Sequence, residues 1–391
     1  MFERLDFDEF HRTQVPALLA RGNGKLAGGS VRDGIAFRLP DGRAWTFEPA
    51  DGDIAVREGD GTAATVVELD EAAWSDFVHE AHTSFGLLYA GALTFSRGDF
   101  GGLDRWEPAL RAVFHGRPLY DAGAVADVEL ARSFTPADDP AAIADFLRRT
   151  GFVHVRGVFR PEEVELVSAE VEALRRRARI DDRRSWWAKD ADGRDVCCRL
   201  IYASLHSAVL GRLAGDDRLR QLADLSGTPL VPVVDRLDGV SVVIKNPAVV
   251  EGLSDLPWHR DCGLGGHPVL CPALNIGIQL DRADAENGQL HFLAGSHLSS
   301  GAPPAPGDGS LPILAVDAEP GDVTVHFGHV FHAAPPPLSP TAGRRALYVG
   351  FVAPPLFDVI GEQQGYNDVL FTEQPDGRVA SVEERLARTQ G

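Results

Sequence analysis

The sequence predicts a mixed α+β chain, mainly β in its larger part: a small N-terminal α+β domain with an antiparallel sheet, then a longer C-terminal domain of strands flanked by helices. Three observations predict it. The chain has 391 residues, more than one ordinary core accommodates. Its first part alternates apolar and polar side chains with period two, then switches to helical spacing. From about residue 140 onward helix and strand signals return, separated by turn-rich loops.

In the first domain Ile35, Phe37 and Leu39 share one face of a strand, Trp45 and Phe47 of a second, Ile54 and Val56 of a third, and Val67 and Leu69 of a fourth. Asp41-Gly42 and Asp51-Gly52 mark turns, so the run reads as an antiparallel meander with one wet face. In "EAAWSDFVHEAHTSFGLLYAG" Trp74, Phe77, Val78 and Phe85 take helical spacing, and "LDRWEPALRAVFHG" supplies another helix. With its sheet, the helix after "VELD" and the stretch "LLYAGALTFSRGDFGGLDRWEPAL", this segment resembles the sterol-carrier-protein-2-like fold. That resemblance implies an apolar tunnel for a lipid or acyl group; the alternative is a scaffold that only packs against its neighbour.

The expected boundaries are 1–118 for this domain, 119–142 for a linker of turn formers with few large apolar groups, 143–375 for the second domain and 376–391 for a helical tail. The second domain opens with a helix stopped near Gly151 and a strand carrying Phe152, Val153, Val155 and Val158. Pro161 and the acidic residues after it then start an amphipathic helix with Val164, Val167, Val171 and Leu174 on one face. The basic run "RRRARIDDRR", 175–184, closes that helix, where cations favour the C-terminal end of the dipole.

Composition narrows the function. Apolar residues make up 44% and charged ones 24% of the chain, as in a soluble globular protein. No run reaches the length of a membrane span, and the acidic, polar start "MFERLDFDEFHRTQ" does not resemble a signal peptide, so a cytoplasmic location is expected. The formal charge, 38 − 57 = −19, disfavours nucleic acid and anionic lipid surfaces as partners. Cys197, Cys198, Cys262 and Cys271 lack C-x-x-C spacing and read as reduced thiols.

The chemistry concentrates in "WHRDCGLGG", 258–266. Residues two apart on a strand project to one face, so His259 and Asp261 address one point while Arg260 turns away. Such a pair suits a divalent metal, but two ligands do not make a site. Further along, "EPGDVTVHFGHVFHAAPPPLSPTAGRRALYVGF", 319–351, reads as strand, turn, histidine, proline-rich loop and an arginine pair entering another strand. Iron in a two-histidine, one-carboxylate arrangement needs a second imidazole and keeps positions open for a co-substrate and dioxygen. If the co-substrate is 2-oxoglutarate, its distal carboxylate needs a fixed cation, and a guanidinium matches it.

Four pieces in order, "GFVHVRGVFRPEEVELV", "WHRD", "ALNIGIQLDRADAENGQLHFLAGSH" and "GDVTVHFGHVFHAAPP" with "RRALYVGF", resemble the phytanoyl-CoA dioxygenase family of Fe(II)/2-oxoglutarate oxygenases over about 140–355. The resemblance implies a double-stranded β-helix (jelly-roll, cupin-like) barrel flanked by helices, with Fe(II), 2-oxoglutarate and O2 as cofactor and co-substrates. His259 and Asp261 match the first two iron ligands. His332, just before the loop to the arginines, matches the third, with His326 and His329 as rivals. Arg344 matches the 2-oxoglutarate arginine and Arg345 is the alternative, on the opposite side of the strand. The implied reaction is oxidation of an unactivated C–H of a small molecule, hydroxylation foremost, with release of succinate and CO2. Asp261 argues against halogenation, whereas desaturation and ring closure stay open. A carrier protein on an idle scaffold is the alternative from another class, and a cupin-like metal enzyme without 2-oxoglutarate is a third reading.

Two departures from the family stand out. The loop "AAPPPLSPTAG" is long and proline-rich, and Gly277 stands where many relatives place a bulky residue, which would widen the pocket. Among other candidates, His291 and His297 are expected to hold a loop by hydrogen bonding, "HEAH" at 79–82 to lie on a helix surface, and Trp186 or Trp187 to wall the substrate pocket while its neighbour joins the core. "RGNGKLAGG" near residue 21 does not match a phosphate-cradling loop.

Overall fold

Among the described residues the two largest hydrophobic cores draw on residues 7–114 and residues 125–351. The computed structural model describes residues 3–247, 249, 256–264, 273–301, 309–359, 367, 371, 377–378, 380 and 382–390.

The first core packs under a sheet of β1 (Ile35–Arg38), β2 (Ala44–Ala50), β3 (Asp53–Glu58), β4 (Thr65–Glu68) and β5 (Thr94–Arg97), in the order β3-β2-β1-β4-β5. Phe37, Phe47 and Val67 are fully buried on its covered face, as period-two alternation requires. The direction differs from a wholly antiparallel meander: β1 runs parallel to β4, with Phe37 opposite Val67. Alternation fixes which side chains share a face but carries no sign for strand direction. The expected helix through residues 71–91 is likewise two helices, Glu71–Val78 and Ser84–Tyr89. Glu80 takes a left-handed φ of 59°, and the Thr83 hydroxyl caps the second helix by accepting from the Gly86 amide at 2.9 Å. "HEAH" is therefore the turn between two helices. Near residue 21 the glycines serve close packing, since a Cβ on Gly28 would strike the Gly52 carbonyl.

The segment expected as a linker is packed into the second core. Val125 and Phe134 are buried, and Phe134 exchanges backbone hydrogen bonds with His154 and Arg156 at 2.9 and 2.7 Å. Two well-placed apolar side chains suffice to fix a stretch whose composition is otherwise that of a loop. The helix Pro140–Thr150 ends at Gly151, whose φ of 90° only glycine adopts cheaply. The helix Pro161–Arg177 follows, with Glu163 accepting from the Arg160 amide at 2.9 Å.

The remaining strands are β6 (Phe152–Val155), β7 (Ser185–Lys189), β8 (Asp195–Leu200), β9 (Val231–Pro232), β10 (Val240–Lys245), β11 (Leu256–His259), β12 (Leu274–Gln279), β13 (His291–Leu293), β14 (Ile313–Ala315), β15 (Val323–Phe327), β16 (His332–Ala334) and β17 (Arg344–Val352). They form an eight-stranded sheet, β6-β15-β12-β17-β10-β8-β7 with β9 beside β17, and a four-stranded sheet, β11-β16-β13-β14. Period two now sorts β17 and β10. Leu347, Val349, Phe351, Val242 and Ile244 join the apolar core, whereas Arg344, Tyr348, Gly350, Ser241 and Val243 line a cavity. Among the described residues no helix is long and apolar enough to cross a membrane. Cys197, Cys198 and Cys262 are buried; Cys271 lies outside the described residues.

Candidate metal and co-substrate site

β11 brings His259 to the cavity and ends there, so Asp261 projects from the bend just after the strand rather than from the strand itself. Its carboxylate still returns to the same point. His259 Nε2 lies 3.5 Å from Asp261 Oδ1, and His332 Nε2, at the start of β16, lies 3.6 Å from Asp261 Oδ2. β11 pairs with β16 at His259 and His332, which is how residues more than seventy apart in sequence become neighbours. The donor atoms of His259, Asp261 and His332 all fall within 4.8 Å of one another.

Each imidazole is oriented by its other nitrogen. His259 Nδ1 meets the Pro257 carbonyl at 2.7 Å and His332 Nδ1 meets the Val330 carbonyl at 3.1 Å. A backbone carbonyl only accepts, so each Nδ1 carries the proton and each Nε2 lone pair faces the cluster. Burial pushes His332 down to about 3, keeping it neutral against the pull of Asp261. Burial alone would raise the Asp261 carboxyl, but His332, His259 and His326 outweigh it and hold that carboxyl well below the usual carboxylate range. An ionised Asp261 beside a neutral His332 suits a divalent ion.

Asp261 has further partners that the sequence did not announce. Asn275 on β12 donates to Asp261 Oδ2 at 2.6 Å, and His326 Nε2 approaches the same oxygen at 3.3 Å. His326, a rival ligand by sequence, thus sits buried beside the carboxylate, outside the three-residue cluster. His329 packs instead near the rings of His297 and Phe327, at 5.8 and 5.5 Å. Arg260 turns away as expected: its guanidinium donates to the Ser296 and Ser299 carbonyls and lies 4.0 Å over Phe331.

The two arginines part company. Arg344 is 2% exposed and lines the cavity with the triplet. Its Nε donates to the Gly288 carbonyl at 2.9 Å, it is hydrogen-bonded to Tyr348, and its Nη1 has no hydrogen-bond partner. A buried N–H without an acceptor is costly, and an anionic ligand end supplies one. Arg345, on the other face of β17, is held by Asp281 at 2.7 Å and Glu172 at 3.1 Å, away from the cavity.

Gly277 does not widen the cavity. A Cβ there would come within 2.6 Å of the Tyr348 ring and 2.9 Å of Thr324 Oγ1; the space left by the missing side chain is filled by Tyr348. His297 accepts its expected duty, bonding the Arg148 carbonyl at 3.0 Å, whereas His291 stays within β13. Trp186 is buried, stacked on Phe371 at 3.9 Å, and neither it nor Trp187 lines the cavity; Trp258, Phe85 and Tyr89 do. Asn275 and Tyr348 had a legible signal. Asn275 shares a strand face with Gly277, and Tyr348 shares one with Arg344.

Nitrogen and oxygen donors without thiolate, gathered on one side of a cavity of about 190 Å³, fit iron(II), and the Arg344 Nη1 fits a dicarboxylate's far end. Fold and site together define the class of non-haem iron- and 2-oxoglutarate-dependent enzymes. The chain belongs to the phytanoyl-CoA dioxygenase family, whose model matches residues 147–346. No curated protein sequence matches it significantly. Solved structures similar to it include AviO1 from Streptomyces viridochromogenes Tue57, at 27% identity over 55% of this chain and 96% of that one, TM-score 0.44. The non-haem α-ketoglutarate-dependent epimerase SnoN from nogalamycin biosynthesis is 26% identical over 57% of this chain and 92% of its own, TM-score 0.44. EctD from S. alaskensis with bound Fe is 22% identical over 61% and 83%, TM-score 0.46.

Proposed function

We propose that this protein is a non-haem Fe(II)- and 2-oxoglutarate-dependent dioxygenase that oxidises, foremost hydroxylates, an unactivated C–H of a small molecule. The observation that carries the reading is the sharing of one cavity by the His259, Asp261 and His332 cluster and the buried, incompletely bonded Arg344. Iron with 2-oxoglutarate and dioxygen supplies C–H oxidation, the 2-oxoglutarate leaving as succinate and CO2.

The chain's own residues do the rest. His259, Asp261 and His332 are the metal ligands in this reading. Asn275 and His326 engage Asp261 Oδ2, leaving Oδ1 as the donor beside His259. Arg344 holds the distal carboxylate of 2-oxoglutarate, and Tyr348 with the Gly288 carbonyl fixes the guanidinium so that little freedom is lost on binding. Leu256, Leu290 and Val352 make the cavity largely apolar, which excludes water and strengthens these charge contacts. The two facing sheets are read as a double-stranded β-helix spanning 143–375, with 1–118 as a separate, sterol-carrier-protein-2-like domain.

Anaerobic titration with Fe(II) and 2-oxoglutarate tests the reading. A weak visible charge-transfer band that saturates at one equivalent is expected, followed by succinate release in air. A folded protein with no band would instead favour a carrier on an idle scaffold.

A further inference from the structure

The cavity is not built from the family-matched region alone. Phe85 and Tyr89, on the helix Ser84–Tyr89 of the first domain, line it together with His259 and Asp261. We infer that this helix is the substrate-selecting wall of the site, and that it takes a substrate with an apolar, ring-bearing body and a polar edge. The inference rests on the oxygenase reading and names the surface that reading leaves unassigned.

The helix is docked, not merely adjacent. The Thr83 amide donates to the Gly263 carbonyl at 2.7 Å, two residues beyond Asp261. Gly86 lets the backbones approach, since a Cβ there would strike that same carbonyl. Behind the wall, Phe85 meets Phe100 edge-on at 5.1 Å, so the ring is braced from its own domain. A smaller space of about 30 Å³, lined by both Phe85 and Trp258, adjoins the wall. Tyr89 is braced from the other end of the chain. In the helix Val382–Thr389, Arg385 donates to the Tyr89 carbonyl at 3.0 Å and lies 4.4 Å over its ring.

The lining also has a polar part. Arg199 lines the cavity and is ion-paired with Asp238, which lines it too. Aromatic rings and a charged pair in one lining match an amphipathic ligand, because ring faces gain from stacking and the buried Arg199 Nε, which lacks a hydrogen-bond partner, gains from an acceptor. The first domain thereby completes the site.

The probe is 8-anilinonaphthalene-1-sulfonate, an aromatic body with an anionic edge. Its binding to the full chain, loaded anaerobically with Fe(II) and 2-oxoglutarate, is measured by calorimetry. One molecule per chain is expected, with affinity falling roughly tenfold in Phe85→Ala and in Tyr89→Ala as ring contact is lost. Phe85→Trp, which keeps an aromatic against Phe100 but fills the cavity, is expected to weaken binding as well; circular dichroism reports that each variant is folded. No saturable binding to the wild type, or affinities within about twofold of wild type in all three variants, overturns the inference. The wild-type charge-transfer band reports separately on the oxygenase reading.

Discussion

Arg344→Gln removes a charge from the cavity lining and leaves a shorter, neutral amide side chain. In the wild type the guanidinium is buried, bonded through Nε to Gly288 at 2.9 Å, with Nη1 lacking a partner. A dicarboxylate's far end seated there gains two charge-assisted hydrogen bonds of about 1.5–3 kcal/mol each. Their loss is about 3–6 kcal/mol, or roughly two to four orders of magnitude in the dissociation constant for 2-oxoglutarate. Anaerobic titration of the charge-transfer band measures it directly. Arg345→Gln is the matched comparison, since Arg345 spends its guanidinium on Asp281 and Glu172. It should leave 2-oxoglutarate affinity within roughly threefold. A larger loss in Arg345→Gln than in Arg344→Gln would refute the assignment of the cavity face of β17.

Asn275→Ala removes the 2.6 Å hydrogen bond to Asp261 Oδ2 and is expected to weaken Fe(II) affinity roughly 10–100-fold, as loss of a ligand's supporting hydrogen bond does, read by competition with a chelator. Gly277→Ala forces a methyl to 2.6 Å from the Tyr348 ring; a stability loss of about 1–3 kcal/mol in urea titration is expected, together with weaker 2-oxoglutarate binding through Arg344. Burial holds His11 and His297 at about 4, below the roughly 6.5 of an unfolded chain. Their folded forms therefore resist protonation: the stability they allow is fully present above pH ~6.5 and is lost as pH falls toward 4. Urea titrations of metal-free protein should show that decline, with a shallower slope in His11→Gln; a flat profile from pH 7 to about 4.5 contradicts it.

The grouping of His259, Asp261 and His332 was legible because its signals are local. An H-x-D at a strand end, a histidine before a proline-rich loop and two arginines at a strand start each keep their meaning wherever the strands go. Period two also separated Arg344 from Arg345. What needed coordinates was long-range geometry. The parallel pairing of β1 with β4 leaves no trace in alternation, and the consequence of Gly277 depends on a tyrosine seventy-one positions later filling its place. Phe85 read as one more apolar helix position, since nothing within residues 71–91 marks which ring lines the cavity that holds His259 and Asp261. The segment around Phe134 misled by composition, because one buried ring with two backbone hydrogen bonds outweighs a loop-like surround.

The most direct test of the central claim is anomalous diffraction at the iron edge from anaerobically grown crystals of the full chain with Fe(II). One strong peak bonded to His259 Nε2, His332 Nε2 and a carboxylate oxygen of Asp261 is the expected result. A peak bonded to His326 in place of His332, or iron bound away from this cluster, would contradict the account.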